Sequence, residues 1–494
     1  MEERYIASID LGSSKLALTV ARIDGENVQV IYYKETPSDG IYYSYVRNPM
    51  KVEAPLSAAL KEAENELNIK KIRQVVVGLP RYYVYQETAK GRIERDGSCI
   101  TQEEVESLKE FALNSYPIDD EKNEVLYGAV AQSFSTEDCF QQVEGDIVGM
   151  VSNILEGNFK VFIGRKRPLE NIDVVMNHLD VAIARKYFLP EVVAKAVLSS
   201  EEMENGVALI DFGAGATSVT VYKGKIMRYY GAIPFGGKAI TNDIHTECGI
   251  SESLAENIKM AYGACMPDKL QNLGEKIIQF HNEKDVPYKQ LSVKYLSEII
   301  SARAAEIVNA ALYLIQESGY ADDLRNGVVI TGGGANLTNL ANFVKELSGY
   351  TVRTGYPRHL FSATGCPGIY DTGAVSSIGM ILAAKGDTHL NCLDKPRPKT
   401  VPVEEPVLPE EEVPAQEEPM PQDWNNAKDG TLIDKEEFGE EKKEKKEGKR
   451  GPKEPKAPKG PRRPWPVWTK ISKIGESVGE TLFKLTEDMN NESV

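Results

Sequence analysis

Ala208 to Tyr222 reads A-L-I-D-F-G-A-G-A-T-S-V-T-V-Y. An apolar run ends in Asp211, turns through Gly213 and Gly215, and leaves through the alternating Val219 and Val221, a pattern that predicts two strands joined by a tight turn. The two glycines remove side chains that would keep a ligand from the backbone, so successive N–H groups can face an anion while Asp211 stands at the strand end. Such a turn suits a phosphate with a metal ion beside it. An ordinary glycine-rich hairpin would have the same letters.

The pattern occurs twice. Ile6 to Val20 reads I-A-S-I-D-L-G-S-S-K-L-A-L-T-V, with Asp10 and Gly12 spaced as Asp211 and Gly213 are. Two strand–Asp–x–Gly–strand units roughly two hundred residues apart predict a duplicated domain. A cleft between the halves would then grip a phosphate from both sides.

Around these anchors the chain alternates strands and helices. Val28 to Lys34 extends the first hairpin into a meander, Ala54 to Leu67 has helical spacing, and Gln74 to Leu79 is a buried strand, an order that implies an α/β sheet with crossover connections. From about Arg81 to Arg167 short alternating segments surround an amphipathic helix, Thr101 to Asn114, opened by a capping-box pattern at Thr101 and Glu104. This stretch reads as an inserted α+β subdomain. In the second half, Ser251 caps a helix over 252–262, a long periodic helix covers 296–316, and a final helix covers 371–384. Between them the strand 327–330 runs into Thr331-Gly332-Gly333-Gly334-Ala335, ahead of a helix over 340–347. A glycine triplet there lets a flat ligand lie on bare backbone beside a helix N-terminus, which favours negative charge.

At 494 residues the chain predicts two or three domains. Its six cysteines are scattered, with no C-x-x-C pair, which supports neither a disulfide framework nor a zinc site. The opening M-E-E-R-Y-I-A-S-I-D carries no export signal and no run of eighteen apolar residues occurs, so a cytosolic protein is expected. The net charge of -16 argues against a nucleic-acid binder, but it hides a split: 404–441 holds 14 acids against 2 lysines, and 442–463 holds 11 bases against 3 acids.

With I-D-L-G-S-S-K, A-L-I-D-F-G-A-G-A-T-S and I-T-G-G-G-A-N-L in that order, the chain resembles the actin superfamily of ATP-binding proteins. Gly91-Arg92 through Glu103-Glu104, Thr241-Asn242-Asp243-Ile244 and Ala255 to Lys259 narrow the resemblance to the bacterial FtsA cell-division family. It covers about residues 4–386. It implies an α/β fold of duplicated actin-like (ribonuclease H-like) domains. One half would comprise 1–80 and 168–204, interrupted by the FtsA-type insert 81–167. The other would comprise 205–236 and 319–386, interrupted by a partner-binding subdomain 237–318. Beyond it, Pro, Glu and Lys dominate 387–464, which predicts a disordered linker, ahead of an amphipathic helix, 465–486, and a short tail, 487–494.

By the same resemblance Gly12, Ser13, Ser14 and Lys15 hold the β-phosphate of ATP, and Gly213, Gly215 and Thr217 the terminal one. Asp10 and Asp211 orient Mg2+ through water. Gly332, Gly333, Gly334, Ala335 and Lys259 contact the adenosine, although Lys259 also reads as a solvated lysine on an amphipathic helix. Two departures from the family stand out. Ala214 and Ala216 replace a common Gly and Thr, and Leu189, before Pro190, stands where relatives carry a Glu or Gln that can orient the attacking water. Unless Glu191 substitutes, hydrolysis should be weak or absent.

The resemblance also implies partners: the C-terminal tail of the tubulin-like protein FtsZ, further copies of the chain in a filament, and other divisome proteins. Arg303 is the candidate FtsZ contact. The end of the chain supports an attachment role on its own pattern. At 100° per residue Trp468, Ile471, Ile474, Val478, Leu482 and Leu485 share one face, with Lys470, Lys473 and Lys484 opposite and Trp465 beside the stripe. That pattern predicts a helix for an anionic membrane surface, the same stripe also permitting a helix that docks on a partner groove or on the chain's own core; the resemblance implies the cytoplasmic face of the inner membrane at the division site. The alternative function is a sugar-type kinase on the same fold, for which a membrane helix has no use.

Overall fold

The computed structural model describes residues 3–280 and 289–393. The two repeated stretches form the hairpins expected of them. Arg4–Leu11 pairs antiparallel with Lys15–Asp24, and Val207–Phe212 with Thr217–Lys223. Each hairpin extends into a third antiparallel strand, Asn27–Pro37 in the first sheet and Ile226–Ile233 in the second. On its other side each leading strand takes a parallel partner, Gln74–Gly78 or Val328–Thr331. Six strands make the first sheet and five the second, in corresponding order around the hairpin. The duplication read from two short motifs therefore extends to whole sheets.

The helices cover the sheets as their apolar periodicity requires. Leu189–Val197 and Val375–Ala384 pack on each other so closely that a Cβ on Gly379 would come within 2.6 Å of the Val192 carbonyl oxygen. The long helix Val293–Glu317 lies in the core of the second half, burying Leu296, Ile300, Ile307, Val308 and Ile315. Burial of one such side chain contributes about 1.5–3 kcal/mol.

The inserted segment is a three-stranded antiparallel sheet with Ile154–Arg165 in the middle, flanked by Val84–Glu94 and Glu124–Ser135. The helix Gln102–Asn114 closes its own small core of Leu108, Phe134 and Phe159. Thr101 and Glu104 cap that helix reciprocally, as their spacing predicts. The insert joins both halves. Phe162 stacks on Phe188 of the first half at 4.6 Å, and Tyr230 of the second meets Phe188 edge-on at 5.2 Å. The Tyr230 hydroxyl donates to the Arg81 carbonyl, and its backbone N–H donates to Gln86 of the insert at 3.1 Å.

One detail departs from the sequence reading. Residues 387–393, expected in the linker, belong to the folded part: the Cys392 N–H donates to the Tyr5 carbonyl at 2.7 Å, its carbonyl accepts from Arg73 N–H, and Leu390 and Leu393 are buried. Polar spacing hid this, because only three apolar side chains anchor the segment. The linker from 394 and the amphipathic stretch with Trp465, Trp468, Ile471, Ile474, Val478, Leu482 and Leu485 lie outside the described residues. Among the described residues no helix is long and apolar enough to cross a membrane.

Candidate functional site

The two hairpin turns are built alike. Gly12 N–H donates to the Lys15 carbonyl and Gly213 N–H to the Ala216 carbonyl, both at 3.0 Å. A Cβ on either glycine would come within 2.6 Å or 2.5 Å of that same carbonyl oxygen, so each turn requires glycine for the same steric reason. The turns approach each other at the floor of a cleft of about 510 Å³, a volume suited to a nucleotide-sized ligand. At the closest point a Cβ on Gly215 would stand 2.6 Å from Ser13 Oγ, so Gly215 lets the turns meet. Ser13 Oγ accepts from the Ser44 N–H at 2.9 Å, which ties the loop after the first meander to the turn.

The three glycines on the far wall do different work. Gly332 has a φ of +84°, and a Cβ there would lie 2.3 Å from Asp211 Oδ1. One on Gly334 would lie 2.9 Å from the Phe212 Cβ. Only Gly333 has open space where its side chain would be, facing the cleft. The expected helix N-terminus is not beside them: a single 3-10 turn, Gly333–Asn336, follows, and the helix Leu340–Ser348 begins only after Asn339. What the triplet offers a ligand is bare backbone. Ala335 is buried and does not line the cleft.

The charged floor differs from its sequence reading. Asp10 and Asp211 do stand at equivalent strand ends, but Arg81 lies with them. Its Nη1 is 2.9 Å from Asp211 Oδ2, and its Nη2 donates to Ser376 at the start of the closing helix. Asp211 is 5% exposed, and its other oxygen, Oδ1, is buried with no hydrogen-bond partner. Burial pushes the Asp10 carboxyl above its usual range, against the fields of Arg81 and Lys15. Burial works against the charge of Arg81, but Asp211 and Asp10 outweigh it and hold the guanidinium above its ordinary value. Two carboxylates that both offer an oxygen to a hydrated magnesium ion are therefore not what the cleft presents.

Arg81 was legible in principle. It follows the parallel strand Gln74–Gly78 by three residues, and the carboxyl ends of parallel strands are where ligand groups collect. Lys15 pairs with Glu35, which also accepts from the Tyr33 hydroxyl. Ser14 lines the cleft; Thr217 does not, because its hydroxyl donates to the Phe235 carbonyl at 2.8 Å beneath the turn.

Lys259 is 9% exposed and lines the cleft, so it is not a solvated lysine. Its ammonium donates to the Gly237 carbonyl, Thr241 Oγ1 and Glu256 Oε2 at 2.8–2.9 Å. Those contacts fasten the helix Glu252–Tyr262 to the start of Gly237–Cys248. Leu189 forms part of the cleft wall, packed where a Cβ on Gly78 would otherwise sit. Glu191 is absent from the lining and pairs with Lys195 one turn on, at 2.7 Å. Arg303, far from the cleft, holds Asp243 with two nitrogens at 2.6 and 3.0 Å and reaches Glu306 with a third at 2.5 Å.

Two sheets of matching order, each led by a strand–Asp–x–Gly–strand hairpin, with their turns meeting across one cleft, define the actin-like fold. The structure of the PilM-PilN type IV pilus biogenesis complex contains a chain with this fold, at a TM-score of 0.55 and 16% identity, over 77% of this chain and 98% of that one. Residues 208–378 match the family model described as cell division protein FtsA. Among relatives, the cell division protein FtsA of Neisseria meningitidis serogroup B is 28% identical over 73% of this chain and 85% of its own length. That of Enterococcus hirae is 28% identical over 71% and 78%. Over most of its length, then, the chain is similar to the cell division protein FtsA.

Proposed function

We propose that the chain is an ATP-binding, actin-like cell-division protein that polymerises and tethers FtsZ filaments to the inner face of the cytoplasmic membrane, where other divisome proteins join it. The observation that carries the nucleotide part is the pair of equivalent turns facing one cleft, with open backbone at Gly333 opposite. The backbone of Gly12 to Lys15 and of Gly213 would hold the phosphates. Gly332 to Gly334 and the wall beside Lys259 would hold the adenosine. Water-bound magnesium between Asp10 and Asp211 does not fit the arrangement, because Arg81 takes one oxygen of Asp211 and the other is buried.

ATP in this reading is a structural ligand that favours a closed, polymerisable form, with hydrolysis weak at most, since Leu189 offers no hydrogen bond to a water. The kinase alternative is less well supported. It needs a carboxylate free to take a proton from a hydroxyl; Glu35, Asp211, Glu256 and Asp371 in the cleft each bind another group of the chain, which leaves that role to Asp10, at the end of the first hairpin's leading strand. FtsZ would dock on the subdomain 237–318. Arg303 already has its carboxylate in Asp243, so it would serve that surface by joining two helices unless an acidic tail displaces Asp243. The test is recruitment: full-length protein should carry FtsZ filaments onto anionic vesicles, and FtsZ left in solution would overturn the reading.

A further inference from the structure

The floor of the cleft places an arginine where the family resemblance leads one to expect a metal. Arg81 is buried, lines the cleft, and stands between the two sheets: Asp211 of the second hairpin lies on one nitrogen, and on another lies Ser376 of the closing helix, which packs on the first sheet and not with the second half as the sequence division had it. Its Nη1 is also 3.8 Å from where a Cβ on Gly213 would lie, directly under the second turn. A guanidinium carries five donors in a plane, more than Asp211 and Ser376 consume, and pairs with phosphate oxygens as readily as with carboxylates.

Charge makes the same point. Two aspartates facing a polyphosphate would repel it, and a buried carboxylate without a partner costs several kcal/mol. Something positive has to be present. A hydrated ion between the two aspartates would have to share Asp211 with Arg81, which holds Oδ2, while Oδ1 is buried with no hydrogen-bond partner. The positive charge is supplied by the chain itself.

We propose that Arg81 is the resident cation of this cleft, binding the terminal phosphate of the nucleotide from beneath the second turn, so that the nucleotide binds without a divalent ion. The inference rests on the nucleotide reading above. Arg81 touches the ligand and both halves at once, so it links occupancy of the cleft to closure.

Calorimetric titration of the full chain with ATP, once with magnesium and once in excess EDTA, separates the possibilities. The dissociation constants should agree within about threefold. Binding with magnesium that is lost in EDTA overturns the role of Arg81 and leaves the nucleotide reading intact; binding in neither overturns both. Arg81→Gln alone leaves Asp211 buried and unpaired and is expected to lose stability, so the informative variant is Arg81→Gln combined with Asp211→Asn. Folded by its melting curve, it should bind ATP in EDTA at least tenfold more weakly than wild type, about 1.4 kcal/mol. Unchanged affinity in EDTA would overturn the proposal.

Discussion

Gly332, Gly333 and Gly334 look interchangeable as letters, and the structure separates them. Gly332→Ala forces a methyl onto Asp211 Oδ1 at a positive φ and should destabilise the fold by about 1–3 kcal/mol, read as a lower urea midpoint. Gly333→Val meets nothing in the chain, so its melting temperature should equal that of wild type while the rise produced by millimolar ATP disappears. A retained rise would show that the ligand lies elsewhere. Leu189 leads to a second expectation. Phosphate release should fall well below the rate of about 1 per second at the slow end of kinases, and Glu191→Ala should not alter it, because Glu191 faces Lys195 outside the cleft. A rate that drops with Glu191→Ala would reinstate Glu191 as the group that positions water.

The helix Gln102–Asn114 shows how an element carries its own punctuation. Thr101 and Glu104 exchange bonds across its first turn, and Arg95, itself buried, clamps Glu104 from outside at 2.8–2.9 Å. Thr101→Ala should cost about 1 kcal/mol, visible in urea unfolding. The bond from Arg95, followed by that from the Thr101 N–H, holds the Glu104 carboxyl below its ordinary value of 4.5. A depressed native value means that the stabilising contribution is present above that ordinary value and is lost as the pH falls through the native one. The gap in urea midpoint between wild type and Glu104→Gln should therefore narrow on moving from neutral to acid buffer. A gap that stays constant would remove the charge from the account.

Among the described residues the two halves meet along the turns, the Arg81–Asp211 pair, the ring cluster of Phe162, Phe188 and Tyr230, and a shared apolar core that brings Val207, Leu209 and Val329 against Val197 and its neighbours. Under the proposed function, a linker that is flexible as its composition predicts would span roughly 50 Å, filaments would assemble away from the bilayer, and many weak helices on one filament would bind with avidity. Deleting Trp465 to Val494, or changing Ile474 and Leu482 to Asp, should leave ATP binding unchanged and abolish flotation with anionic vesicles. Flotation of either variant would show that the anchor is another part of the chain.

What the sequence determined alone is whatever depends on near neighbours. The two Asp-x-Gly hairpins close bonds between residues three apart, the capping box does the same, and helical periodicity marks each buried face, so the duplicated plan was visible in the letters. Helix ends still moved by a few residues, as at Pro49–Glu66, where the sequence pattern began at Ala54. Tertiary structure decided the rest. It placed Arg81 against Asp211, 130 positions away, turned the Thr217 hydroxyl under the turn to Phe235, brought Lys259 to Gly237 and paired Arg303 with Asp243. None of these follows from spacing, because each depends on how two sheets dock, and docking is set by the summed burial of many side chains with no local signature. The chemistry of the cleft floor, arginine with aspartate instead of two free aspartates, is the product of that docking.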